Sequence, residues 1–192
     1  MLGGALIVLA GAATLAWINL PFQLPVRKAC NGYAKAGGFA VSGHAAGWRD
    51  RRHLVLDLRA VSDATTGAGL LLCLHDVAAN IRSNESLEEV TLARQGEPRV
   101  HIEAQAFKTA GYGGVIPWEF WEDIRHGAKT PAGRRFEFDY QRNQEVAQEA
   151  WLIADVAAQI DGMSQSAEIG DAILAEWSGL ERGQIAPASS PP

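Results

Sequence analysis

Two cysteines, Cys30 and Cys73, are all that this chain of 192 residues contains. That number excludes a miniprotein stapled by disulfides and any paired-cysteine zinc framework, though the two can still pair with each other. No Cys-x-x-Cys, His-Glu-x-x-His or phosphate-loop pattern occurs. Gly67-x-Gly69 and Gly113-Gly114 lack the remainder of a glycine-rich fingerprint, and Ser42-Gly43-His44 and Ser178-Gly179 lack the context of a nucleophile elbow. There is no surplus of positive charge either: 17 basic against 22 acidic side chains give −5, which argues against binding nucleic acid through a globally basic surface. No internal repeat is present. With 47% hydrophobic residues, the chain is also not a disordered polymer.

The most telling absence lies at the N-terminus. Residues 2–20, LGGALIVLAGAATLAWINL, carry no charged side chain. As a helix this run reaches about 28 Å, close to a bilayer core of about 30 Å. Trp17 suits the headgroup boundary, and Asn19, Pro21 and Pro25 are expected to close the segment. Ala10-Gly11-Ala12 has the small-x-small form of a signal cleavage site, but the n-region lacks basic residues and the apolar part before it is short. The reading is therefore a single-pass anchor over 1–22, with a signal segment as the alternative.

Charge is unevenly divided. Residues 1–52 hold Arg27, Lys28, Lys35, Arg49, Arg51 and Arg52 against Asp50 alone, while the remaining residues are strongly acidic. Such a basic band can lean on anionic headgroups at about 1 kcal/mol per charge. Basic residues follow the apolar run and none precedes it, so charge bias keeps the downstream domain cytoplasmic, with the exported side as the alternative. Residues 23–52, rich in glycine, read as a basic tether.

Beyond it, periodicity predicts a strand from His53 to Val61, a helix over 67–82, and a hairpin of strands 90–93 and 100–107 around Gln95-Gly96-Glu97-Pro98. A short helix is predicted from Pro117 to Gly127, a strand through Phe136, Phe138 and Tyr140, a helix over 142–161 and a last helix after Ser166. Cys73 falls on the apolar face of its helix and reads as a small buried hydrophobe. The expected class is α+β: a largely antiparallel sheet with helices on one face, preceded by a transmembrane helix. The domain spans 53–182, and 183–192 reads as a disordered tail.

Candidate site residues are few. His101 and Glu103 sit two apart on one strand, so imidazole and carboxylate share a face and can relay a proton or join a metal site. Two ligands fall short of the three or four that zinc takes, so neither metal nor cofactor is expected. Arg49, Arg51 and Arg52 form a turn suited to phosphate headgroups. Trp118 and Trp121, with Phe120, are candidates for a partner-docking patch. The expected function is a membrane-anchored α+β module for binding or assembly, with lipid at the N-terminal segment and a protein partner. A small envelope enzyme, possibly a metal-dependent hydrolase, using His101 and Glu103 is the alternative.

Overall fold

The computed structural model describes backbone at residues 2–47, 50–112, 117–136 and 170–179, and side chains there except at 2–19 and 117–119. It is an α+β fold around a mixed five-stranded sheet in the order β1-β2-β3-β4-β5. The sequence-predicted strand through Phe138 and Tyr140, the 142–161 helix and the tail at 183–192 lie outside the described residues.

The first departure from expectation is helix α1, Leu2–Gly37, which runs through both Pro21 and Pro25. An internal proline costs about 3 kcal/mol, through a lost amide donor and a clash with the preceding turn. Burial offsets this. Phe22, Val26, Ala29 and Cys30 recur at helical spacing and all are buried. The helix stops at Gly38, whose φ of +62° only glycine adopts without strain. There the Phe39 amide donates to the Ala34 carbonyl at 3.2 Å, closing a Schellman motif. The expected tether over 23–52 is thus the end of a docked helix followed by paired strands. No helix among the described residues is long and apolar enough to cross a membrane, and the side chains of 2–19 lie outside that statement.

Strands β1 (Ala40–Gly47) and β2 (Asp50–Ala60) form an antiparallel hairpin. In β2, alternation puts Leu54, Leu56 and Leu58 fully into the core. Helix α2 (Gly67–Ile81) follows, as the periodicity predicts. Its N-cap Thr66 accepts a hydrogen bond from the Gly69 amide through Oγ1 at 3.1 Å. The crossover through α2 returns the chain to β3 (Glu89–Arg94), parallel to β2.

Strand β4 (Glu97–Glu103) pairs antiparallel with β3. The turn is tighter than predicted: only Gln95 and Gly96 lie between the strands, with φ of 52° and 88°. Positive φ at both central residues matches the right-handed twist of the flanking strands. Pro98 is accommodated at a register shift opposite Ala93. The predicted strand over 104–107 is instead the start of α3 (Ala104–Ala110). Alanine, glutamine and lysine favour a helix there, and the alternating apolar residues serve equally well at helical spacing, with Ala104, Phe107 and Ala110 buried. After α4 (Pro117–Arg125), strand β5 (Ala128–Lys129) adds antiparallel to β4.

One core binds these parts. α1 packs on β1 and α2, where the Cys30–Cys73 disulfide joins the two helices. The Tyr33 hydroxyl donates to Asp76 Oδ2 at 3.0 Å across the same interface. Residues 170–178 are helical and bury Ile173, Leu174 and Trp177. The Trp177 indole N–H donates to the carbonyls of Ala93 (2.9 Å) and Leu56 (3.2 Å), tying this helix to two central strands.

Candidate functional site

His101 and Glu103 occupy one face of β4, yet the structure gives them different partners. Strand pairing sets Thr91 opposite His101 and Glu89 opposite Glu103. His101 Nδ1 lies 2.8 Å from Glu89 Oε1 and 3.1 Å from Thr91 Oγ1. The Thr91 hydroxyl donates to the same Glu89 oxygen at 3.1 Å. Glu103 instead accepts from Lys129 Nζ at 3.1 Å, across the β4–β5 pair.

Partial burial on its own would raise the Glu89 carboxyl. Hydrogen bonds from His101 and Thr91, with the positive charges of His101 and His53, outweigh it and hold the carboxyl below its ordinary range. Hydroxyl, imidazole and carboxylate thus meet, but not as a nucleophilic relay. A relay needs the hydroxyl on one ring nitrogen and the carboxylate on the other. Here both approach Nδ1, so Thr91 is not set to pass its proton through the ring. Among the described residues no group of three or more histidine, cysteine, aspartate or glutamate side chains could hold a metal ion.

The other candidates disperse. Arg49 lies outside the described residues. Arg51 is exposed, and Arg52 pairs with Glu88 at 3.0 Å with both side chains largely solvated, an ion pair of little energetic weight. Trp121 is a core residue and not a docking surface: it is 1% exposed and meets Phe120 edge-on at 5.0 Å. A Cβ on Gly170 would come within 2.2 Å of the Trp121 ring, so the 170–178 helix closes directly over that indole. The backbone of Trp118 lies in α4, and its side chain is outside the described residues.

A concave feature among the described residues lies elsewhere, in the segment the sequence suggested was a tether. A groove of about 440 Å³ runs between α1 and β1. Gln23, Arg27, Asn31 and Lys35 line its helical wall, and residues of β1, including Ser42, line the other. Phe39 lines it at the turn between the two elements. None of the described lining residues is acidic.

Two local features build this groove. The helical wall is a stripe at spacing four, so polar side chains stack along one face of α1 while Phe22, Val26 and Cys30 face the core. Gly43 lets the helix approach the strand: a Cβ there would stand 2.5 Å from Val26 Cγ2 and 3.0 Å from the Phe22 carbonyl oxygen. The spacing of Gln23, Arg27, Asn31 and Lys35 was a usable signal in the sequence, masked by Pro21, Pro25 and the glycines. The position of β1 beside it had no local signal. Comparison with protein-family models, curated proteins and solved structures finds no match for this chain.

Proposed function

We propose that this chain is a membrane-anchored binding module whose ligand surface is the groove between α1 and β1. The observation that carries the reading is the groove itself: a concave, cation-lined surface built on two regular elements. The apolar run 2–20 is the anchor in this reading. Its helix continues without a break into α1's buried stripe, so the domain sits directly on the end of the anchor. In the full architecture, a transmembrane helix precedes an α+β domain with a largely antiparallel sheet and helices on one face. The partner is a protein, with membrane lipid contacting the N-terminal segment.

We place the domain on the exported side. The Cys30–Cys73 disulfide supports this, because thiols of cytosolic proteins are kept reduced. The basic residues after the anchor favour the opposite side at about 1 kcal/mol each near the surface. A buried disulfide between the two helices weighs more than these exposed charges. The enzyme alternative gains little from the arrangement of His101 and Glu103, whose side chains turn to different partners.

Three measurements test the proposal. Carbonate extraction should leave the full chain in the membrane pellet, and release would remove the anchor. In intact cells quenched with acid, both cysteines should resist a bulky maleimide until reductant is added. Labelling without reductant would place the domain in a reducing compartment. Photo-crosslinkers at Ser42 or Lys35 should capture protein in native membranes, and the absence of adducts there would remove the groove as the binding surface.

A further inference from the structure

We infer that the folded domain is seated on an anionic bilayer surface, held there by the outward face of α1 at Leu20, Leu24 and Lys28 and by Arg51 of the β1–β2 hairpin. The seat rests on the reading of 2–20 as an anchor and gives the domain itself a lipid contact, apart from the groove.

The helix provides the first contact. Leu20, Leu24 and Lys28 recur at spacing four and so form one stripe. Successive helical residues turn by about 100°, which sets Leu24 about 200° round the axis from the buried Val26. The stripe therefore faces away from the core that α1 shares with β1 and α2. Leu20 and Leu24 are 39% and 60% exposed, two of the three large hydrophobic side chains so placed among the described residues. Lys28, also exposed, follows one turn further from the anchor. Along the axis, Leu24 lies about 6 Å beyond Leu20 and Lys28 about 12 Å beyond it. Apolar first and basic next is the order in which a helix leaving a bilayer meets acyl chains and then headgroups, whose layer on each side is about 5–7 Å deep. The first acid in the chain is Asp50, so α1 carries no charge that would repel an anionic surface.

The hairpin brings a second contact to the same height. Strand β1 starts beside the last turn of α1, where the Phe39 amide bonds to the Ala34 carbonyl, and by Gly43 it lies against Phe22 and Val26. It therefore runs back toward the anchor. The four residues from Gly43 to Gly47 carry it about 13 Å further, enough to bring the hairpin tip level with Leu20. At the start of β2, Asp50 is engaged locally: Oδ1 accepts from the Arg52 amide at 3.1 Å, and Oδ2 lies 2.7 Å from His53 Nδ1. Arg52 pairs with Glu88. Arg51 is exposed at this end. Spanning helices tilt by about 20° on average. A tilt toward the Leu20–Leu24–Lys28 face lowers that stripe and lifts the hairpin tip, so that both rest on one plane. Lys28 and Arg51 then select lipids of net negative charge. A protein partner would have to occupy the space where the bilayer lies, because the anchor continues from this same stripe.

The test uses the full chain reconstituted in phosphatidylcholine vesicles with or without phosphatidylglycerol. The photo-crosslinker p-benzoylphenylalanine is placed at Leu24, Arg51 or Gln95, and adducts are read by mass spectrometry. Gln95 serves as control: its amide bonds to the Leu58 carbonyl, at the end of the sheet away from the anchor. Lipid adducts are expected at positions 24 and 51 in the phosphatidylglycerol vesicles, and none at 95. With the probe at 24, Lys28→Glu combined with Arg51→Glu should lower the adduct yield by about tenfold or more. With the probe at 51, Leu20→Ser combined with Leu24→Ser should lower it in the same way. All four side chains are exposed, so near-ultraviolet circular dichroism should be retained.

Adducts at 24 without adducts at 51 would overturn the seat, since the hairpin would then stand off the bilayer. Equal yields with and without phosphatidylglycerol, or protein adducts in place of lipid at 24 in native membranes, would also overturn it. Retention of the chain on carbonate extraction, with no adduct at 51, would sink this inference and leave the anchored binding module standing. Release on extraction would remove the anchor and the seat together.

Discussion

The docking of α1 on β1 makes the sharpest demand on this structure, and a pair of substitutions measures it. Val26 is fully buried, and its methyl group lies where a side chain on Gly43 would have to go. Val26→Ala deletes two carbons, worth about 0.8 kcal/mol each in transfer, and leaves a cavity, for a total of about 2–3 kcal/mol. Gly43→Ala places a carbon 2.5 Å from Val26 Cγ2, well inside van der Waals contact, so α1 must lift or Val26 must leave its rotamer. Overpacking of this kind costs about 1–3 kcal/mol. In the double variant the new methyl occupies space that Val26 has vacated, although the Phe22 carbonyl oxygen at 3.0 Å still crowds it. The two costs should therefore fall short of their sum by about 1–2 kcal/mol. Urea unfolding of the oxidised full chain in detergent, followed by tryptophan fluorescence, gives all three values. Additivity within about 0.5 kcal/mol would mean that the two positions do not touch, and the docked helix would be refuted along with the groove it forms.

Ile102 is fully buried on β4, so Ile102→Ala should destabilise by about 2–5 kcal/mol, while His101→Ala, which loses its bonds to Glu89 and Thr91, should cost only about 0.5–1.5 kcal/mol. A reversed order in urea unfolding would refute the register of β4. Opening the Cys30–Cys73 bridge, which closes a separation of 43 residues, should lower stability by about 2–4 kcal/mol, read as a shift of the urea midpoint on adding reductant. An unchanged midpoint would mean that the pair contributes nothing to the fold. Because the Glu89 carboxyl is held below its ordinary value of 4.5, its stabilising contribution is present above that pH and is lost as pH falls through the depressed value. The side chain is part-exposed, so the effect should be under about 1 kcal/mol, and His101→Gln should flatten the slope in acid-unfolding curves. An identical slope in that variant would show that His101 is not the cause.

Local periodicity in the sequence determined much of this molecule. The spacing of Leu70, Leu74, Val77, Ala78 and Ile81 places α2, and the leucines at 54, 56 and 58 place the core face of β2. The α+β class follows from such segments, because each reports its own period and its own apolar face. The charge-free run 2–20 and the basic band after it are likewise read directly from composition.

Where two physical tendencies competed, tertiary contact decided. Prolines 21 and 25 speak for a helix end, and only the pocket made by β1 and α2 shows why Phe22, Val26 and Cys30 repay continuing the helix through them. Ala104 to Phe107 fits a strand or a helix equally, and packing beside α4 selects the helix. Trp121 reads as a docking residue until Gly170, from far along the chain, closes over it. His101 finds Glu89 and not Glu103 because cross-strand register, which no single strand encodes, sets its neighbours. Cys30 and Cys73 meet for the same reason: their separation in sequence carries no distance until α1 lies against α2. The groove is divided between the two: the four-residue spacing of its helical wall is legible in the sequence, but its second wall is a strand whose approach to the helix depends on the missing side chain of Gly43.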